Sequence, residues 1–254
     1  MAYTRSHEAL TSGGRHRVAP GWHQVAQVPR VWLDALRPWW DDLPPDPDPD
    51  AGHRFRRMDH FRVEAGGLLR LPARPGLEGV GPTSPWGGPG RSYAPLADDC
   101  VAHPAFLALV DDFLARLPIP RHGLFLRVHQ IRVVHDAQAD LVARPDPEVP
   151  HREGRLFVSI LPMTIRNLEP GDTCLFSAAD QPPFARLLLA EGEQVTLDDR
   201  HVLHATEPYR AVTGRPAFRD ICLMTVTDRA SGGGVPDPGG RASGARSAWF
   251  DREA

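Results

Sequence analysis

Residues 151–161 join a polar beginning to an apolar run, and they read His151-Arg152-Glu153-Gly154-Arg155-Leu156-Phe157-Val158-Ser159-Ile160-Leu161. The run from Gly154 to Leu161 is apolar and partly β-branched, which predicts a β-strand. The prolines at positions 145, 147 and 150 predict a loop that enters this strand. On extended backbone, side chains two residues apart point to the same side. We therefore expect His151 and Glu153 to lie together at the mouth of the strand as a pair of metal ligands.

Short strands of this kind follow one another through the second half of the chain. We predict them at 123–134, 155–165, 172–177, 185–190, 193–198, 201–206 and 217–227. Many short strands with few helices between them predict an antiparallel double sheet. The expected fold class is mainly β with flanking helices, arranged as a jelly roll, the double-stranded β-helix of cupin-like proteins. The mouth between the two sheets of such a fold can collect ligands from strands that are distant in sequence.

A third ligand is expected from a different strand. His201 and His204 both lie in the extended run 201–206 and point to opposite faces of it. We favour His204, because the Ala-Thr-Glu-Pro that follows it is a strand exit suited to the rim of a site. Two imidazoles and one carboxylate on one face of an octahedral ion leave three positions open, which is the pattern of a non-haem Fe(II) centre that binds a chelating 2-oxo acid and O2. The chain has 12 histidines, so a His-x-Glu with a distant His is also typical of a surface loop.

Arg219 strengthens the metal-site prediction. It lies in the apolar strand 217–227 and shares a face with Ile221. A buried guanidinium needs an anionic partner, because the burial of an unpaired charge is very costly. That partner is either a structural carboxylate, Asp220 or Asp228, or the distal carboxylate of 2-oxoglutarate in a fork-shaped pair. Asp220 points to the other face of the strand, which favours 2-oxoglutarate.

Composition excludes several classes of function. At 254 residues, one domain with a full core is expected, and the net charge of −3 gives no electrostatic reason to bind nucleic acid or an anionic membrane. All 29 basic residues are arginines, which excludes Schiff-base chemistry, pyridoxal phosphate attachment and a P-loop lysine. Cys100, Cys174 and Cys222 are widely spaced and indicate reduced thiols of a cytoplasmic protein. Neither a signal peptide nor an apolar run long enough to span a membrane is recognisable.

The remaining segments give the expected domain boundaries. We predict a disordered N-terminus at 1–20, a helical pattern at 22–42, an acidic proline-rich connector at 44–50, a helix at 103–117, and a flexible tail rich in Gly, Arg and Ser at 229–254. The helical pattern is interrupted by Pro29 and Pro38. A single domain is therefore expected at 21–228.

Five motifs in the same order resemble those of the 2-oxoglutarate-Fe dioxygenase family that includes bacterial L-isoleucine hydroxylase. They are residues 147–154 (Pro-Glu-Val-Pro-His-Arg-Glu-Gly), His129-Gln130-Ile131-Arg132, Asn167 with Gly171, residues 197–204 (Leu-Asp-Asp-Arg-His-Val-Leu-His) and Phe218-Arg219-Asp220-Ile221. The resemblance covers roughly residues 50–228. Two departures stand out. Glu153 replaces the family's usual Asp and argues against a halogenase, and Pro170 replaces a turn glycine.

The resemblance implies a jelly-roll oxygenase domain that uses Fe(II), 2-oxoglutarate and O2. It implies hydroxylation of an unactivated C–H bond of a small free amino acid or related metabolite, with release of succinate and CO2. By the same resemblance Gln130 contacts the cosubstrate, although it could equally satisfy backbone groups at the strand end. Arg56, in Arg54-Phe55-Arg56, is the candidate for the substrate carboxylate, with surface solvation as the alternative.

Two alternative functions stay open. The same iron centre could perform desaturation or oxidative ring closure of an amino acid. A non-oxidative cupin-like metal isomerase or binding protein is a second alternative, and such a protein would not need Arg219. The expected partners are a small-molecule substrate and a second copy in a homodimer, with neither nucleic acid nor membrane.

Overall fold

A computed structural model gives the fold of most of the chain. The residues that the structure describes are 10–12, 15–17, 21–47, 53–72, 92–135, 150–169, 171–207, 209 and 211–228. Strands β1 (Leu10–Ser12) and β2 (Arg15–Arg17) pair antiparallel. The rest of 1–20 and all of 229–254 lie outside the described residues, so the disorder expected there stays a prediction.

Ten further strands build two sheets. In chain order they are β3 (His23–Gln27), β4 (Arg54–Glu64), β5 (Gly67–Arg70), β6 (Phe125–His135), β7 (Phe157–Arg166), β8 (Thr173–Phe176), β9 (Ala185–Leu187), β10 (Glu193–Asp198), β11 (Leu203–Thr206) and β12 (Ala217–Thr227). The large sheet has the order β3-β10-β7-β12-β6-β4-β5, and the small sheet has the order β11-β8-β9. All pairings in both sheets are antiparallel. The two layers confirm the jelly-roll prediction.

One of the hydrophobic clusters lies between the two sheets. Residues of the large sheet such as Ile131, Ile160 and Ile221 pack in one buried cluster with Leu175 of the small sheet. We call the side of the large sheet that faces the small sheet its inner face. Because side chains alternate along a strand, every second residue of β6, β7 and β12 points to this inner face. The candidate site residues described below lie on it or beside it, with the exception of Gln130.

Helices cover the outer face of the large sheet. They are α1 (Arg30–Leu36), a 3-10 helix (Arg37–Trp40), α2 (Asp98–Ala102) and α3 (Pro104–Ala115). The helix predicted at 103–117 is observed as α3, and its residues Phe106, Val110 and Phe113 are buried in a cluster that also contains Met224 of β12. Pro104 opens α3, where its missing N–H costs no helical hydrogen bond. Among the described helices, none combines the length with the apolar composition that crossing a bilayer requires.

The N-terminal part of the chain departs from the sequence prediction. The expected helical pattern at 22–42 was wrong in its first part, because β3 occupies His23–Gln27 and pairs with β10. Within the connector predicted at 44–50, Asp46 is buried and contacts Arg54, with Nε and Oδ2 2.5 Å apart. Residues 48–50 lie outside the described residues.

Strand β4 was not predicted, although it is as long as β6. Its charged residues hide the usual strand pattern, since Arg54 and Arg56 both point inward and are 5 % and 4 % exposed. These arginines are buried because β4 pairs with β6 along nine residues. The polar inner face of β4 therefore lines the space between the sheets.

Candidate metal centre and cosubstrate site

The main chain brings two predicted ligands together. The N–H of His151 donates to the carbonyl of His204 at 3.1 Å, and the N–H of His204 donates to the carbonyl of His151 at 3.0 Å. This reciprocal pair is an isolated antiparallel bridge between the loop before β7 and strand β11. Opposite residues of an antiparallel pair project to the same side. The two imidazole centroids accordingly lie 4.5 Å apart.

Glu153 completes a group of three donors. Its Oε1 lies 3.5 Å from Nε2 of His151, and one ligand atom from each of His151, Glu153 and His204 lies within 4.8 Å of the others. Metal bonds of about 2.0–2.2 Å make donors on one ion lie about 3–4.4 Å apart, so small side-chain movements let a single ion contact all three. Two imidazole nitrogens and one carboxylate oxygen suit a divalent transition metal such as Fe(II). The donor set therefore fits the metal predicted from the sequence.

The electrostatics of the group favour an ionised carboxylate. Burial by itself raises the pKa of Glu153, but the hydrogen bond with His151 and the charges of His204 and Arg56 outweigh burial and hold the pKa at about 2. A carboxylate with so low a pKa carries its negative charge throughout the physiological range. Glu153 is therefore ready to bind a cation without first losing a proton.

The loop that carries Glu153 is held by Asp199. The backbone N–H groups of Glu153 and Arg155 donate to the two carboxylate oxygens of Asp199 at 3.0 and 2.7 Å. Gly154, between them, has a φ of 69°, a left-handed conformation that glycine adopts without strain. Burial raises the pKa of Asp199 to about 7, although these two backbone hydrogen bonds act to lower it. Asp199, in the turn between β10 and β11, therefore holds the loop that carries Glu153.

His201 occupies a different position from His204. Its side chain is 45 % exposed, and its Nδ1 lies 3.0 Å from Oδ2 of Asp198 in the turn between β10 and β11. His204 is 2 % exposed and belongs to the donor group. Of the two histidines that the sequence offered, the structure thus brings His204 together with His151 and Glu153.

Arg219 lies on the inner face of β12, buried between neighbouring strands. It is 4 % exposed, and its backbone pairs with Val133 of β6 and Ile165 of β7. Asp220 points to the outer face, where Arg132 binds both of its oxygens at 2.6 and 2.8 Å. Because Arg132 holds Asp220 on that face, the structural pair between Arg219 and Asp220 that the sequence left open is not formed.

Gln130 does not lie with the metal ligands. Its side chain points to the outer face of β6, where Nε2 is 3.5 Å from Sγ of Cys100 in α2. The assignment of Gln130 to the cosubstrate is therefore corrected. The inner-face residue beside it is His129, which is 3 % exposed and was not selected from the sequence. Strand alternation could have found His129, because Gln130 shares its face with Val128 of the helix-covered core.

Arg56 lies on the inner face of β4, close to the donor group. Its Nη2 and Nε lie 2.7 and 3.2 Å from Nδ1 of His129, and its guanidinium stacks 4.7 Å from the ring centroid of Tyr93. A longer ion pair of 3.7 Å joins it to Asp46. Its positive charge is close enough to Glu153 to help lower the pKa of that carboxyl. Arg56 therefore lies near the His-Glu-His donor group and is buried rather than solvated.

Comparison with known proteins identifies the family. The model of the 2OG-Fe dioxygenase family matches residues 37–225. No curated protein sequence matches this chain. Among solved structures, the chain is similar to a bsmA homologue from Methylobium petroleophilum PM1, with 27% identity and a TM-score of 0.65 over 79% of this chain and 83% of that one.

Two more distant structures share the fold. They are IDO from Bacillus thuringiensis, with 17% identity and a TM-score of 0.63 over 78% of this chain and 83% of that one, and the Fe(II)/α-ketoglutarate-dependent dioxygenase TqaL, with 16% identity and a TM-score of 0.59 over 79% of this chain and 75% of that one. The family match spans most of the chain and includes the His-Glu-His donor group and Arg219. This chain therefore belongs to the 2OG-Fe dioxygenase family.

Proposed function

We propose that this dioxygenase hydroxylates an unactivated C–H bond of a small free amino acid or a closely related metabolite. As a member of its family, the enzyme uses Fe(II), 2-oxoglutarate and O2. When these three are bound, they supply the oxidant for the substrate C–H bond. In the same reaction 2-oxoglutarate is converted to succinate and CO2. The observation that carries the proposal is the convergence of His151, Glu153 and His204 within 4.8 Å of one another.

Each polar residue of the site has a proposed role. His151, Glu153 and His204 would hold the metal, and a metal with three protein ligands would keep positions available for 2-oxoglutarate and O2. Arg219 binds the distal carboxylate of 2-oxoglutarate, because its planar fork matches a carboxylate and it is buried on the inner face. The apolar walls formed by residues such as Ile131 and Leu223 keep water from the reacting groups.

Arg56 is proposed to attract the carboxylate of the substrate. It is a buried cation close to Glu153, so an anion bound near it would lie beside the metal. A fixed charge anchor holds the target C–H bond in one position, which sets the carbon that reacts. A free amino acid supplies such a carboxylate on a compact molecule.

A succinate-release screen tests this proposal. The enzyme is supplied with Fe(II) and 2-oxoglutarate, and each proteinogenic amino acid is added in turn. We expect one or a few amino acids to raise succinate formation well above the substrate-free rate, and mass spectrometry of the product to show one added oxygen. Loss of two hydrogens instead would identify desaturation or ring closure. The amino acid proposal fails if none of them raises succinate formation while the protein still turns over 2-oxoglutarate slowly on its own.

The His204→Ala variant is the negative control for this screen, and His201→Ala is the matched positive control. Both remove an imidazole from the same short segment, but only His204 belongs to the donor group. Succinate formation that persists in His204→Ala would point to a contaminating activity or to a different metal ligand.

A further inference from the structure

The further inference concerns His129, a buried histidine beside the proposed substrate site. It lies on the inner face of β6 and is 3 % exposed. The metal ligands and the 2-oxoglutarate arginine are supplied by other segments, so none of the roles proposed above uses it. Its position next to Arg56 connects it with the substrate carboxylate of the proposed function, on which this inference rests.

The contact with Arg56 fixes which ring nitrogen of His129 carries the proton. Nδ1 of His129 lies 2.7 Å from Nη2 and 3.2 Å from Nε of Arg56. A guanidinium can only donate hydrogen bonds, so Nδ1 must be the acceptor and carries no proton. The imidazole is therefore neutral, and its proton is on Nε2.

The electrostatic surroundings hold His129 in this neutral form. Burial, followed by the positive charges of Arg56 and Arg127, keeps the pKa of His129 well below its ordinary value. Arg155, which follows Glu153 by two residues, adds to this effect and also helps lower the pKa of His60 to about 3. The lowered pKa agrees with the contact geometry, in which the ring is an acceptor through Nδ1 and a donor through Nε2.

The Nε2–H donor of His129 has no acceptor among the residues that the structure describes, since both contacts of the ring involve Nδ1. A donor without a protein acceptor on a side chain that is only 3 % exposed often marks the place of a ligand. Arg155 points to the same kind of ligand, because within the described residues its guanidinium makes neither a hydrogen bond nor an ion pair, although its charge influences both Glu153 and His129. A neutral donor in contact with Arg56 thus lies within the electrostatic reach of a second cation, Arg155, which also acts on Glu153.

We propose that His129 donates a hydrogen bond through Nε2 to a carboxylate of the substrate, with Arg56 fixing the required tautomer and Arg155 adding positive charge. Arg56 then acts on the substrate both by its charge and through His129. A neutral imidazole donor suits this task, because it directs one oxygen of the carboxylate without adding a further charge to a site that already holds several arginines. The substrate class is accordingly a compact carboxylate whose target C–H bond lies within reach of the metal.

Nitrogen NMR on the wild-type protein tests the proposal directly. The protein is loaded with Zn(II) in place of Fe(II) and with 2-oxoglutarate, its histidine rings are labelled with 15N, and the His129 signals are assigned with the His129→Gln variant. We expect Nδ1 unprotonated and Nε2 protonated between pH 6 and 8. Sodium acetate is then the probe, acetamide is its uncharged control, and sodium chloride keeps the ionic strength constant. Acetate should shift the Nε2–H signal and acetamide should not.

Two results of this titration overturn the proposal. One is a proton on Nδ1, and the other is a response to acetate that is absent or equal to that of acetamide. Binding of acetate elsewhere in the protein would leave the His129 signal unchanged and so counts against the proposal as well.

Kinetics with the amino acid found by the succinate screen give a second test. His129→Phe keeps the ring shape but removes the donor, and we expect a rise of at least tenfold in the KM for the amino acid with the KM for 2-oxoglutarate unchanged. His129→Gln retains an N–H donor at a similar distance and should recover part of the loss. An unchanged amino acid KM in His129→Phe contradicts the proposal.

The two proposals fail in distinguishable ways. If no amino acid raises succinate formation but acetate shifts the Nε2–H signal of His129, the amino acid assignment is wrong and the carboxylate site stands. If an amino acid is turned over but neither the NMR signal nor the KM depends on His129, the proposed function stands and the role of His129 is wrong.

Discussion

Asp199 holds the backbone of Glu153 in place, with its Oδ1 accepting the Glu153 N–H at 3.0 Å while its Oδ2 accepts the Arg155 N–H at 2.7 Å. The turn that carries Asp199 leads directly into β11, which carries His204. This turn therefore positions both proposed ligands. The side chain of Asp199 holds the backbone of Glu153, and the main chain of the turn leads into the strand that carries His204. Groups of this kind commonly set the affinity of a metal site.

Asp199→Asn should weaken metal binding. The amide has one oxygen and one NH2 group, and the NH2 group would face a backbone N–H that needs an acceptor, so at least one of the two hydrogen bonds is lost. We expect the affinity for Fe(II), or for Co(II) as its spectroscopic substitute, to fall about 10- to 100-fold. Titration of the metal-free protein with Co(II) measures this change.

Asp198→Asn is the matched control for this variant. Asp198 is also buried, but its oxygens contact Arg200 and His201 within the turn rather than the loop of Glu153. It should lower thermal stability with little change in metal affinity. Equal losses of affinity in the two variants would show that the turn as a whole, and not the Asp199 carboxylate, sets metal binding.

His204→Ala should abolish succinate formation, whereas His201→Ala should retain most of it. The reason is geometric, because His204 is paired with His151 through the backbone and His201 is 45 % exposed on the turn. Metal content after anaerobic loading and succinate release are the two measurements. The reverse outcome, with His201→Ala inactive, would move the third ligand to His201.

Arg219→Ala should raise the requirement for 2-oxoglutarate. Removing one partner of a buried charge pair costs about 2–5 kcal/mol, which corresponds to a rise of roughly 30-fold to several thousandfold in the 2-oxoglutarate concentration needed. Initial-rate kinetics at varied 2-oxoglutarate give the KM. Arg219→Lys should be intermediate, because it keeps the charge but loses the planar fork.

Arg132→Ala is the control for Arg219, since Arg132 lies on the opposite face and binds Asp220. It should lower stability, because Asp220 would be left buried without its cation, but the KM for 2-oxoglutarate should stay within about twofold of the wild-type value. An unchanged KM in Arg219→Ala would reassign that arginine to structure.

His60 should make the metal-free protein less stable in mild acid. Burial and the charges of Arg127 and Arg155 lower its pKa in the folded protein to about 3, from an ordinary value of about 6.5. Below pH 6.5 the imidazole of His60 therefore binds a proton in the unfolded chain but not in the folded protein. The free energy of unfolding consequently falls as the pH drops from 6.5 toward 3. The slope for one proton is about 1.4 kcal/mol per pH unit.

Urea denaturation between pH 7.5 and 4.5, in the presence of a chelator, measures this dependence. In His60→Gln the free energy of unfolding should depend on pH less steeply than in the wild type, by up to about 1.4 kcal/mol per pH unit, because glutamine does not titrate. Parallel curves for the two proteins would show that His60 does not retain its low pKa in solution.

Much of the sheet could be predicted from the sequence because local pattern and burial agree there. In β12, the period of two placed Arg219 and Ile221 on one face and Asp220 on the other, and the pairing with Arg132 shows the same alternation. The same alternation put His201 and His204 on opposite faces, and His204 was preferred because the Ala-Thr-Glu-Pro that follows it is a strand exit. The inference about β12 needed only the knowledge that a strand has one core-facing side.

The residues that were missed depend on pairing between distant segments. Strand β4 contains buried arginines, and nothing local shows that Arg54 is paired with Asp46 or that Arg56 contacts His129. The local pattern predicts a helix where β3 lies. The strand forms there because it pairs with β10, about 170 residues further along the chain, and local sequence does not reveal that contact. The family resemblance assigned Gln130 to the cosubstrate. Alternation along β6 instead puts it on the same face as Val128, which packs in the helix-covered cluster.

The bridge between His151 and His204 has a consequence for the motions of the protein. Because one of these residues enters the large sheet through β7 while the other belongs to the small sheet, an ion bound to both acts as a cross-link between the layers. Loading with metal should therefore slow amide hydrogen exchange in β8 and β11, and removal of the metal by a chelator should restore the faster exchange. The ion would then restrict local opening between the two sheets in addition to its role in the reaction.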